Sequence, residues 1–195
     1  MKETEDIISR ETYKGYKIEL LYDSDSESPR RWDNLGKMLC WNHRYSLGDE
    51  HDLVEDKPST WDTMIYILKR AYNVAIIKTI YSYEHGGIAI STKPFSCPWD
   101  SGTLGVIYAD RASIKEEYSC KYITKKILDK VKGVLEGEVD IYNKYLTGNV
   151  YAYRLYDASG KEVDSCYGIY YDNTDDIIAE VKELIDWMIK KKGGC

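Results

Sequence analysis

The apolar positions of the chain switch repeatedly between period two and period three to four, and the switches outline its elements. ETYKGYKIELLYD (11–23) alternates loosely and predicts a strand. KMLCWNHRYSL (37–47) sets Met38, Cys40 and Asn42 against Leu39, Trp41 and His43, which predicts a second strand. In STWDTMIYILKRAY, Trp61, Met64, Ile65, Leu68 and Tyr72 recur at helical spacing. Ser59 stands three residues before Asp62 there, resembling a capping box, so a helix is expected over 60–72. VAIIKTIYSY (74–83), EHGG (84–87) and IAIST (88–92) read as a hairpin. TLGVIYA (103–109) is another strand, and DRASIKEEY (110–118) a short helix capped by Asp110.

Residues 121–146 carry a long apolar stripe, Ile123, Ile127, Val131, Val134, Leu135, Tyr142 and Tyr145, on a helix that is basic in its first half and acidic in its second. NVYAYRLYD and EVDSCYGIYY flank ASGK as a further hairpin. The last helix opens after Asp172–Asp175, has the stripe Ile177, Ile178, Val181, Leu184, Ile185 and Met188, and ends in Lys190–Lys192, which suit its negative end. Residues 1–10 read as a polar lead-in and 193–195 as a tail.

The order ββ-α-βββ-αα-ββ-α lacks the βαβ alternation of a parallel sheet. It predicts one α+β domain over 1–195, with a mostly antiparallel sheet built from hairpins and helices packed on one face. Between the elements lie a Ser/Asp/Pro-rich turn (24–36), an acidic loop (48–58) and the Pro-containing loop KPFSCPWDSG (93–102).

Composition narrows the function classes. A hydrophobic share of 43% in 195 residues excludes disorder. The net charge of -6 argues against free-standing binding to a nucleic-acid backbone. It suits an acidic surface facing a protein, or solubility alone. The chain has 19 Tyr and 5 Trp against one Phe, rings that serve half-buried strands and wet interfaces alike. Five widely spaced Cys and a charged start, MKETEDIISR, predict reduced thiols in a cytosol. No apolar run is long enough for a bilayer.

Several chemistries can be weighed on spacing. Asp23, Asp25 and Glu27 alternate like calcium ligands, but Ser28 and Asn34 stand where an EF-hand loop needs Gly and Glu. Cys40-x-x-His43 is half a zinc pattern, to be completed by Cys97 or Cys166, yet the two point to opposite faces of a strand. Cys97 with His43 or His85 is a candidate thiol–imidazole pair without a helix N-terminus to activate it. HGG and SGTLG lack the Lys of a phosphate loop. No metal, cofactor or catalytic assignment follows, and a binding role is favoured over an enzyme.

What remains is polar and aromatic density: Arg30, Trp32, Asp33, Trp41, His43, Arg44 and Asp49 in one run, Trp99 and Asp100 in another. Each has a structural explanation: Asp33 capping a turn, Arg44 paired with Asp49 or Glu50, the Trps filling the core. As a group they have the composition of a recognition surface.

Two runs, SPRRWDNLGKMLCWNHRYSLGDEH (28–51) and KPFSCPWDSGTLGVIYADRASI (93–114), are seconded by EVDIYNKYLTGNVYAYRLYD (138–157) and EVDSCYGIYY (162–171). Together they resemble a family of small hypothetical proteins found in bacteriophages, plasmids and other mobile elements. The resemblance implies a bacterial cytosol during infection or transfer. It also implies an accessory protein that counters host defence, as anti-CRISPR proteins do, by binding a host protein complex. The alternative is a small-ligand protein, a nucleotide sponge or a hydrolase of a nucleotide signal, with Arg30 and Arg44 on phosphate and Trp41 and Trp99 on a base.

Overall fold

Eight strands and four α-helices make up the computed structural model, which describes residues 7–51 and 60–193. In chain order these are β1 (Ile7–Tyr13), β2 (Tyr16–Tyr22), β3 (Lys37–Cys40), α1 (Trp61–Ala71), β4 (Val74–Glu84), β5 (Ile88–Ser91) and β6 (Ser101–Asp110). There follow α2 (Arg111–Glu117), α3 (Lys125–Leu146), β7 (Val150–Tyr156), β8 (Glu162–Tyr170) and α4 (Thr174–Gly193). The class is α+β, and every strand pairing is antiparallel.

The strands form two sheets of four rather than one, ordered β1-β2-β7-β8 and β3-β6-β4-β5. Contacts divide the chain accordingly into two compact units, 1–27 with 144–195, and 28–143. In the first unit β2 bypasses β3 and pairs with β7, Lys17 opposite Tyr156. Ile18 and Leu20 of β2 and Tyr151 and Leu155 of β7 thereby present one apolar face, and α4 covers it with Ile177, Val181 and Ile185. The predicted stripe of the last helix is the one buried.

The predicted strand over 11–23 is the greater part of a hairpin, holding the end of β1, the turn and all of β2. The chain turns at Lys14 and Gly15, both at positive φ (47° and 82°), and Tyr13 pairs with Tyr16. Its first strand begins at Ile7, inside the expected polar lead-in.

The second unit has helices on both faces of its sheet. Leu39, Val106 and Tyr108 meet Met64 and Leu68 of α1 on one face. On the other, Gly36 is wedged beneath α3: a Cβ there would lie 2.5 Å from Leu135 and 2.8 Å from Ile107. Lys78 of β4 reaches Glu136 of α3 on that side. The unbroken apolar run of β6, Leu104–Ala109, is buried throughout for this reason. Thr60 caps α1, its hydroxyl accepting from Thr63 N at 3.2 Å; the expected cap at Ser59 lies outside the described residues, as does most of the acidic loop over 48–58. Asp110 caps α2 as expected, accepting from Ala112 and Ser113 N–H. No described helix is long and apolar enough to cross a membrane.

Candidate functional site

The run 28–51 divides into two parts with different roles. Its first part is a buried clamp. Ser28 caps a helical turn over Pro29–Arg31, which carries the Arg30 side chain inward until it is 5% exposed. There the guanidinium grips Asp49 with two parallel bonds, Nε to Oδ1 at 2.8 Å and Nη2 to Oδ2 at 2.9 Å. It also donates to Gly36 O at 2.7 Å and to Glu138 Oε2 of α3 at 3.1 Å. Glu138 in turn accepts from Leu35 N and Gly36 N through Oε1, and Asp49 Oδ2 accepts from Met38 N. One cation and two carboxylates thus satisfy one another and the backbone leading into β3. Burial by itself would lower the Arg30 pKa, but the bonds and charge of Asp49, then of Glu138, outweigh it and hold it raised. Asp49 is therefore the partner of Arg30, not of Arg44. The chain reaches it by a return at Gly48 (φ 76°), where a Cβ would stand 2.6 Å from Met38 O.

Trp41 also packs inward. It lies edge-on to Trp61 at 5.9 Å and against the His51 ring at 4.9 Å, at the margin of the α1 core. Trp32 (44% exposed) and Asp33 remain at the surface, beside Tyr142, around a concavity of about 420 Å³.

The second part is an exposed loop. The expected strand over 37–47 ends at Cys40. Asn42 Oδ1 accepts from Arg44 N at 2.8 Å and Tyr45 N at 3.0 Å, closing a side-chain turn in place of a ladder. His43, Arg44 and Tyr45 are left in solvent. Because Cys40 pairs with Gly105 and Tyr83 with Ser101, this loop and the 92–100 loop emerge at the same end of the sheet. Asn42 Nδ2 donates to Glu84 Oε1 at 2.8 Å, and Glu84 N donates to Asp100 O at 2.8 Å, so one residue links them.

In the 92–100 loop, Asp100 Oδ2 takes both the Cys97 thiol at 3.8 Å and His85 Nδ1 at 3.5 Å. Ser101 Oγ donates to Cys97 O. Tyr83 stacks on His85 at 6.2 Å and packs on Phe95 at 5.7 Å. Trp99, at the tip of this braced loop, is 92% exposed.

Of the nine predicted site residues, His43, Arg44, Trp99 and Asp100 gather at this end. Arg30 and Asp49 belong to the clamp, Trp41 to the core, and Trp32 and Asp33 to the turn that begins the clamp. Asn42, Tyr45, Glu84 and His85 join the site without having been singled out as members of it. Glu138 was missed as well, although it bears a readable signal: a carboxylate set among Leu135, Val139 and Tyr142 of a buried stripe needs a buried partner.

Among the described residues no group of three or more His, Cys, Asp or Glu is placed to hold a metal. Burial pushes the Cys40 thiol up to about 12, Arg30 pulling the other way, so it is a core hydrophobe while His43 is in water. Asp23, of the calcium-like turn, accepts instead from Gly168 N at 2.8 Å. Cys97 and His85 address one carboxylate oxygen, an arrangement that holds a loop. Cys40, Cys97, Cys120 and Cys166 are free thiols. Comparison of the chain with protein-family models, curated proteins and solved structures found no match.

Proposed function

We propose that this is a binding protein that docks on a protein partner through the loop end of the second sheet, with Trp99 as its anchor. In the mobile-element setting suggested by the sequence resemblance, the partner is a host defence complex and binding inhibits it. The carrying observation is Trp99: its loop is braced by hydrogen bonds through Cys97, Asp100 and Glu84, yet the indole stands in water. Burying such a ring stabilises a complex by about 1.5–3 kcal/mol, and a braced loop loses little entropy on binding. Arg44, Tyr45 and His43, on the loop that leaves the same end of the sheet, supply the cation and aromatic surface usual at interface hot spots.

The test is phage plating on a host whose CRISPR system targets that phage. Expression of the wild-type chain restores plaques, and Trp99→Ala abolishes the effect with an unchanged Tm. Full activity of Trp99→Ala rejects the anchor, and no protection across a panel of defence systems rejects the setting.

One observation favours a small-ligand reading. A concavity of about 530 Å³ is lined by His43, Arg44, Tyr45 and His51, and the buried His51 Nδ1 has no hydrogen-bond partner among the described residues. A nucleotide retained in a native mass spectrum of the purified chain would select it.

A further inference from the structure

A concentration of positive charge lies outside that loop end, on the first half of α3 and the residues just before it. Between Lys121 and Lys132 stand five lysines and one carboxylate, Asp129, in a chain whose net charge is -6. Lys121, Lys125, Lys126, Lys130 and Lys132 are all exposed. The opposite side of this stretch is the buried one, with Val131 and Leu135 in the core. The lysines therefore do not serve packing.

Lys125, Lys126 and Lys130 also work against the helix. Its first turn holds no acidic residue, and Lys125 and Lys126 sit at the positive end of the dipole. Lys126 and Lys130 are neighbours one turn apart, about 6 Å along the axis, and repel each other. A negatively charged partner would relieve both costs.

The residues around the lysines identify that partner. Exposed positions from Lys121 to Val134 are Lys, Tyr122, Thr124, Asp129, Gly133 and Val134; one short aliphatic side chain is no apolar face to insert into a membrane. Tyr122 is 72% exposed, with Lys121 Nζ 5.6 Å from its ring centre. A line of cations beside an exposed aromatic ring is the recognition chemistry of single-stranded nucleic acid: phosphates along the lysines, a base on the ring. We propose that the first half of α3, with Tyr122, is a docking face for single-stranded nucleic acid. Net charge alone argues against such binding, but the charge here is local. The proposal shares no residue with the Trp99 surface.

The experiment titrates the full chain against a fluorescein-labelled twenty-nucleotide single-stranded DNA, with the duplex form and anionic phosphatidylserine vesicles in parallel. Saturable binding is expected at low salt, weakening with a log–log slope of about -2, as for three phosphates on a single strand. Lys126→Gln/Lys130→Gln should weaken it at least tenfold and make the slope shallower by about 1.4, with an unchanged Tm and circular dichroism. Tyr122→Ala should cost about fivefold or more. Trp99→Ala should bind the strand like the wild type, which separates this face from the proposed protein-docking loop. No binding at low salt, an undiminished affinity in the double variant, or binding to vesicles or duplex in preference to the single strand would each overturn the proposal.

Discussion

Arg30 and Arg44 belong to one polar run, yet they do opposite things. Arg30 is 5% exposed and spends its guanidinium on Asp49, Glu138 and Gly36. Arg44 contributes its backbone N–H to a turn around Asn42 and leaves its side chain in water. A dense polar motif can therefore be two things joined end to end, a structural clamp and a surface. Only the surface is free to meet another molecule, and substitution distinguishes the two by stability.

The largest effect should come from Arg30→Ala. It leaves the carboxylates of Asp49 and Glu138 without their cation and should cost about 3–5 kcal/mol in a denaturant titration. A loss no greater than that of a surface residue would mean that the clamp is not what holds the run. Glu138→Gln keeps an acceptor for Leu35 and Gly36 N–H but removes the charge facing Arg30, and should cost about 1–3 kcal/mol. If it matched wild type, Asp49 alone would be sufficient.

The buried thiol sharpens the contrast by pH. In the folded chain Cys40 keeps its proton up to about 12, against the usual 9.0 when unfolded. The native state therefore binds the extra proton, and its stability falls as pH rises through 9, by up to about 1.4 kcal/mol per pH unit. Thermal melts at pH 8 and 10 should show a steeper fall for wild type than for Cys40→Ala, and equal slopes would contradict this. The smallest stability effects belong to the loop end. Arg44→Ala and Trp99→Ala should each shift folding by less than about 0.5 kcal/mol while abolishing partner inhibition. A large drop in Tm for either would move that residue into the structural class.

Much of the fold was legible because it is local. The hairpins around EHGG and ASGK, the Asp110 cap and the stripe of α4 follow from period and turn chemistry, and each forms at the place read. The hairpin at Lys14–Gly15 was hidden because a lysine at positive φ gives no signal of its own, so two short strands read as one. Loop 41–47 imitates a strand in its alternation, and only the side chain of Asn42, bonding two nearby N–H groups, ends it. The partition of the run into clamp and surface was not legible. It depends on Glu138, 108 residues beyond Arg30, and on which arginine reaches it.

The pairing of β2 with β7 sets a schedule for synthesis. β2 leaves the ribosome ahead of the second unit, and its partner follows about 130 residues later, after the whole of that unit. At roughly 5–20 residues per second the wait lasts about 7–26 s. Throughout it the β1–β2 hairpin has the open edge of β2 and the apolar side chains of Ile18 and Leu20 without their cover. The unit inserted in sequence is continuous and is made meanwhile, but the unit that holds the β1–β2 hairpin is completed only when α4 has been made. Translation speed and chaperone supply in the producing cell thus act on β1 and β2 more than on the segments made between them and α4.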